Sequence, residues 1–157
     1  MNFQSSFEKL IGHEGGLVND PLDPGGQTRY GISKRAYPGE DIAGMTLDRA
    51  QVLYQRDYWG PAGCDAVPDG IKFDLFDMSV NSGVRAAVKT VQRAVGETPD
   101  GMLGPRTLQA IGSMPAGRLV ARFNGYRILY VTSQPDVWWQ RFGRGLMNRI
   151  GANLKDA

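Results

Sequence analysis

The chain has 157 residues, 41% of them hydrophobic and 22% charged, and no long block of like charge interrupts it. This composition belongs to an ordinary folded protein and excludes a disordered or fibrous one, while folding at this length removes roughly two-thirds of the unfolded surface from water. A formal net charge of +2 is too small for a nucleic-acid binder.

Phe3, Phe7, Leu10 and Ile11 recur at helical spacing, so the first dozen residues predict an amphipathic helix that Gly15 and Gly16 end, with Glu14 at its terminus. Leu17 to Ser33 is rich in proline, glycine and turn formers, with Val18, Tyr30 and Ile32 as its strand formers; it predicts a loop or a short irregular hairpin. Thr46 caps a second helix bearing Leu47, Ala50, Leu53 and Tyr54, stopped by Gly60-Pro61.

A third helix, Asp69 to Asn81, has two apolar rows, Ile71/Leu75/Met78 and Phe73/Phe76/Val80. Asp74, Asp77 and Asn81 form a polar stripe between them, so the helix is expected to be largely buried. Ser82 starts a fourth helix with Val84, Val88, Val91 and Val95 inward and Gly96 as its stop. Pro105 opens a fifth at the first helical position, where its missing N–H costs nothing. Helices over 115–132 and 135–150 follow, and the expected class is all-α, mainly helical.

Acids, glycines and hydroxyls concentrate in His13-Glu14-Gly15-Gly16, Asn19-Asp20-Pro21, Asp23-Pro24-Gly25-Gly26 and Thr28-Arg29-Tyr30-Gly31-Ile32. Cleaving a glycosidic bond needs a protonated carboxyl beside the leaving oxygen and a second carboxylate to activate water or stabilise positive charge. Glu14, where an apolar helix ends, is a carboxyl that desolvation keeps protonated. Asp23, in a loop rich in backbone N–H groups, is the candidate to stay ionised, and Thr28 offers a hydroxyl to hold the water. Asp20 is a rival for Asp23, and either aspartate has the alternative use of building a proline turn.

The Glu-Gly-Gly motif, followed by Asn-Asp-Pro-x-Asp-Pro-Gly-Gly-x-Thr-x-Tyr-Gly-Ile, resembles the signature of glycoside hydrolase family 108. The resemblance continues through Asp77-Met78-Ser79-Val80-Asn81-Ser82-Gly83, Gln92 and Asp100-Gly101-Met102-Leu103-Gly104-Pro105-Arg106-Thr107 and so covers nearly the whole chain. It implies a lysozyme-like fold, with a catalytic region over 1–96 and a peptidoglycan-binding helical region over 97–157 packed against it. It also implies hydrolysis of the β-1,4 bond between N-acetylmuramic acid and N-acetylglucosamine, with Glu14 matching the family's catalytic glutamate. A looser likeness to phage-type lysozymes, whose sites string Glu, Asp and Thr along one segment, suggests Asp23 and Thr28 as its partners. In this chain the Asp-to-Thr interval is one residue shorter than that pattern.

Tyr30, Asp77 and Asn81 are the expected sugar contacts; the polar stripe of the third helix has the alternative use of satisfying buried backbone and arginine groups. Trp59, Trp138 and Trp139 are further candidates to stack on sugars, with one of the adjacent pair expected in the core. His13 is the only histidine and no cysteine or second histidine accompanies it, so no metal and no other cofactor are expected. Asp100 and the residues after it read as a turn between helices rather than a calcium loop, because alternating acidic ligands are lacking.

Residues 115–157 hold 7 Lys/Arg against 2 Asp/Glu, whereas 1–114 hold 11 against 14. The basic end, with Arg118, Arg122, Arg127, Arg141, Arg144 and Arg149, suits an anionic polymer such as peptidoglycan, or forms a solvated helix face. Cys64 is the only cysteine, so folding needs no oxidising compartment. No signal-peptide pattern opens the chain and no stretch inserts in a membrane. A monomer made in the cytoplasm, released through a holin pore or a secretion machine and acting in the periplasm or wall, is the expectation. A lytic transglycosylase and a non-catalytic wall-binding module are the competing functions.

Overall fold

The computed structural model describes residues 1–12, the backbone of 18–19, and 26–156. Helix α1, Phe3–Ile11, begins with a reciprocal cap: the Asn2 side chain accepts from the Ser5 N–H at 2.9 Å, and the Ser5 hydroxyl accepts from the Asn2 N–H at 3.2 Å. It ends earlier than the sequence predicts. Gly12, with φ of 59°, closes it, and its N–H donates to the Glu8 carbonyl at 3.0 Å.

Three short antiparallel strands follow in the order β1 (Val18–Asn19), β2 (Gln27–Arg29), β3 (Ile32–Ser33). Val18 pairs with Thr28, and Thr28 in turn with Ser33. Helix α2, Leu47–Tyr54, is capped by the Thr46 hydroxyl, which accepts from the Arg49 N–H at 3.1 Å, and it runs on as a π turn over Gln55–Trp59 before Gly60.

A 3₁₀ turn, Cys64–Ala66, leads into α3, Asp69–Ser82, the central helix. Both of its apolar rows are buried apart from half-buried Val80, and so are Asp74, Asp77 and Ser79. Two rows leave no wide polar face, so α1, α4 and α6 all pack on it. Helix α4, Val84–Val95, starts after Gly83 rather than at Ser82, because the reversal falls on the glycine, at φ of 89°. Gly96 ends it in the left-handed region, where the Glu97 N–H reaches back to the Gln92 carbonyl at 2.9 Å.

Helices α5 (Pro105–Ser113), α6 (Ala116–Thr132), α7 (Asp136–Trp138) and α8 (Arg144–Lys155) complete the chain, with a π turn over Trp139–Gly143 between the last two. The class is all-α, with a small irregular sheet where a short hairpin was expected. One hydrophobic core joins Phe7, Leu53, Trp59, Phe76 and Val91 to Ile111, Leu119 and Phe123, so residues on both sides of position 97 share it. Trp59 stands edge-on to Phe3 and Phe76, at 5.5 and 5.4 Å between ring centres, tying α1 and the first π turn to α3. No helix among the described residues is long and apolar enough to cross a membrane.

Candidate active site

The described part of the site lies on two elements, the β2–β3 hairpin and the C-terminal half of α3. Arg29 pairs with Ile32, so the loop between them is the two residues Tyr30 and Gly31, with φ of 50° and 74°. Positive φ at both central positions is the turn whose twist matches a hairpin's strands. Tyr30 is the residue that bears the strain, since Gly31 adopts such angles freely. The turn is pinned from below: the Tyr54 hydroxyl donates to the Tyr30 carbonyl at 3.1 Å, and a Cβ on Gly31 would collide with that hydroxyl oxygen.

Burial pushes the Tyr54 phenol up to about 12, so it keeps its proton and remains a donor at neutral pH. Ile32 is buried in the core, and the Arg29 guanidinium lies 5.4 Å from the Tyr30 ring centre while donating to the Ala43 carbonyl at 2.6 Å. Thr28 is therefore held on a strand anchored at both ends. Its hydroxyl donates to the Gly26 carbonyl at 3.4 Å, a long bond that a better partner would replace at little cost. Tyr30, expected to form strand, is in the turn.

On α3, Asp77 is fully enclosed. Its Oδ2 accepts from Arg127 Nη2 at 2.7 Å and from Asn153 Nδ2 at 3.3 Å, and its Oδ1 from Arg149 Nε. Asn81, half-buried in the last turn, donates to the Asp77 carbonyl at 2.7 Å and to its carboxylate at 3.2 Å. Both Asp77 oxygens thus serve protein donors, and of the two uses foreseen for the stripe these bonds describe the internal one. Arg149 extends the network, because its Nη2 lies 3.5 Å from the carbonyl of Leu10 in the last turn of α1. No hydrogen bond or ion pair among the described residues joins the hairpin pair, Thr28 and Tyr30, to Asp77 and Asn81.

Glu14, Asp23, Asp20 and His13 lie outside the described residues. Among the described residues no cluster of histidine, cysteine, aspartate or glutamate has the make-up of a metal site. Asp100 builds a turn, its carboxylate accepting from Gln92 Nε2 at 2.7 Å and from the Met102 N–H at 2.8 Å.

Three expectations are corrected. Trp59 is 1% exposed and packed in the core, so it offers no ring to a sugar. Neither Trp138 nor Trp139 is a core residue: Trp138 is half-buried and Trp139 exposed at the start of the π turn. Arg127 is not part of a basic surface but is wholly buried, and Arg149 is spent on Asp77. The missed signal is the row Phe123, Arg127, Val131 at spacings of four, which sets Arg127 on the apolar face of α6.

The family model described as Glycosyl hydrolase 108 matches residues 7–83, which contain the hairpin, α2 and the whole of α3 but not Arg127, Arg149 or Asn153. The solved structure of Brucella abortus SagA superposes with a TM-score of 0.86 at 28% identity, over 98% of this chain and 92% of that one. No curated protein matches the chain. Residues 7–83 thus carry the glycosyl hydrolase 108 pattern, and the chain shares the fold of Brucella abortus SagA along 98% of its length.

Proposed function

We propose that the protein is an N-acetylmuramidase that hydrolyses the β-1,4 bond between N-acetylmuramic acid and N-acetylglucosamine in peptidoglycan. The observation that carries this reading is the family match over residues 7–83, which spans the whole segment from Glu14 to Ile32. Glu14 gives its proton to the bridging oxygen as the C1–O bond breaks, and positive charge builds on the sugar ring. Asp23, or Asp20 in its place, takes a proton from the water that attacks C1, and the Thr28 hydroxyl holds that water. The anchored hairpin supports the Thr28 role, since a rigid strand fixes a hydroxyl better than a free loop does. Tyr30 and Asn81 flank the sugars, and Asp77 acts through Asn81 and Arg149 rather than by touching substrate.

Residues 1–96 supply the chemistry in this reading and 97–157 the hold on the wall polymer. The enzyme works in the periplasm or wall after release by a holin pore or a secretion machine. The Glu14→Gln variant is expected to keep the wild-type fold by circular dichroism and to lose at least about 100-fold in release of reducing ends from purified peptidoglycan. Retained activity would refute the acid. Anhydromuramyl ends among the wild-type products, found by mass spectrometry, would replace hydrolysis by intramolecular transglycosylation, which needs no attacking water.

A further inference from the structure

The π turn over Trp139–Gly143 puts an apolar side chain where a regular helix would not. Gly143 is buried, and what covers it is the indole of Trp139: a Cβ at position 143 would stand 2.5 Å from Cδ2, 2.9 Å from Cζ3 and closer still to Cε3. Near-equal distances to three successive ring atoms arise above the plane of a ring and not beside its edge. The indole therefore lies flat on the glycine, one face covered by backbone. The residue is nevertheless 36% exposed, so part of the indole remains open to solvent.

Beside it, Trp138 and Phe142 meet at 5.5 Å, with Phe142 45% exposed and the Arg141 guanidinium 5.2 Å from its ring centre. Arg144 is exposed and makes no ion pair or hydrogen bond among the described residues. The surface thus combines a flat aromatic face with the positive charges of Arg141 and Arg144. Six residues, about 9 Å of helix, separate Gly143 from Arg149, whose guanidinium reaches the last turn of α1. In the chain, Glu14 follows that turn.

The geometry points to Trp139, laid flat on Gly143, as a stacking platform for a sugar ring of the peptidoglycan glycan, with Arg144 facing the carboxylates that strand bears. This inference rests on the muramidase reading and adds a binding position to it. An indole pressed on backbone loses little freedom when a sugar covers its open face, so the contact costs little ordering entropy. The lactyl and stem-peptide carboxylates of the strand complement the local positive charge.

The test is titration of the full chain with a soluble tetrasaccharide of alternating N-acetylglucosamine and N-acetylmuramic acid, followed by calorimetry, beside turnover on peptidoglycan. Trp139→Ala is expected to weaken binding about tenfold and Trp139→Phe less than about threefold. Gly143→Ala provides the variant that must not unfold: its backbone, at φ of −57° and ψ of −50°, is helical, and alanine is the better helix former there. It leaves the tryptophan in the sequence but lifts the indole off the helix, and is expected to match Trp139→Ala in affinity while keeping the wild-type fold by circular dichroism.

Unchanged affinity in both variants would overturn the platform while leaving the hydrolase reading intact if turnover persists. Trp139-dependent binding without turnover by wild type would keep the platform and sink the hydrolase, and absence of both would sink the two together. Trp139-dependent binding to phosphatidylglycerol vesicles, with tetrasaccharide affinity unaffected, would overturn the sugar and make the turn a membrane contact.

Discussion

Asp74 and Asp77 stand three residues apart on α3, both buried, and the protein keeps them by opposite means. Asp77 has two guanidinium groups, from Arg127 on α6 and Arg149 on α8. Asp74 has two amides: Asn124 Nδ2 at 3.1 Å and Asn153 Nδ2 at 3.0 Å. Asn153 straddles the pair, reaching Asp77 as well. Burial raises the Asp74 carboxyl above its usual range, although the Asn124 amide, the charge of Arg127 and the Asn153 amide all oppose that rise. Countercharge ties α6 and α8 to Asp77, whereas the amides at Asp74 favour its ionised form without outweighing burial. The contrast predicts that the fold depends on the charge of Asp77 more than on that of Asp74.

The largest expected effect follows from removing the charge of Asp77. Arg127 is 0% exposed, and its Nε and Nη1 have no hydrogen-bond partner among the described residues, so Asp77→Asn strands a buried cation. We expect a loss of about 3–5 kcal/mol in urea unfolding, the usual cost of breaking a buried pair from one side. A loss under about 1 kcal/mol would show that Arg127 finds other compensation and would erase the contrast.

A smaller effect is expected from Arg149→Met. The Arg149 side chain is 36% exposed, Arg127 remains to balance Asp77, and methionine keeps the packing of the stem, so about 1 kcal/mol is at stake. Because Arg149 also touches the Leu10 carbonyl, amide hydrogen exchange in the last turn of α1 should rise more than elsewhere. Uniform protection would confine its part to Asp77.

Local signals in the sequence were read well where one residue decides the outcome. Thr46 caps α2, Gly96 ends α4 in the left-handed region and Pro105 opens α5, each as its own chemistry requires. They failed where neighbours compete. Gly12, Gly15 and Gly16 can each end α1, and only the tertiary path selects Gly12. The stripe on α3 was legible as polar and buried, but not its partners: Arg127 and Arg149 come from 50 and 72 residues further on, and no periodicity ranks such contacts. Charge counting set both on a surface, since a sum along the chain cannot see that Arg127 falls in an apolar row. The π turn was illegible for a related reason, because one extra residue per turn leaves the 3.6-residue pattern nearly intact. Of the candidate site, the hairpin's place was visible, whereas the turn at Tyr30-Gly31 and the Tyr54 hydroxyl that pins it were not.

The smallest expected change in stability carries the sharpest sign. A carboxyl whose pKa is raised in the folded state holds its proton more tightly there than in the unfolded chain, so protonation favours folding. For Asp74 that contribution is complete below the ordinary value of 3.8 and is lost as pH rises through the higher folded value. Asp74→Asn cannot ionise and escapes the loss. It also gives up an acceptor: the amide offers one oxygen where the carboxylate offers two, so either Asn124 or Asn153 loses a partner, at about 1 kcal/mol. The two effects oppose each other at neutral pH, where the variant should lie within about 1 kcal/mol of wild type. Relative to wild type it should gain stability as pH rises above about 4 and level off once the folded Asp74 carboxyl has ionised, as urea unfolding at several pH values will show. A difference flat across that range, or a loss as large as that of Asp77→Asn, would mean that the fold needs the charge at position 74 as much as at 77, and that amides hold a buried carboxylate as firmly as guanidinium groups do.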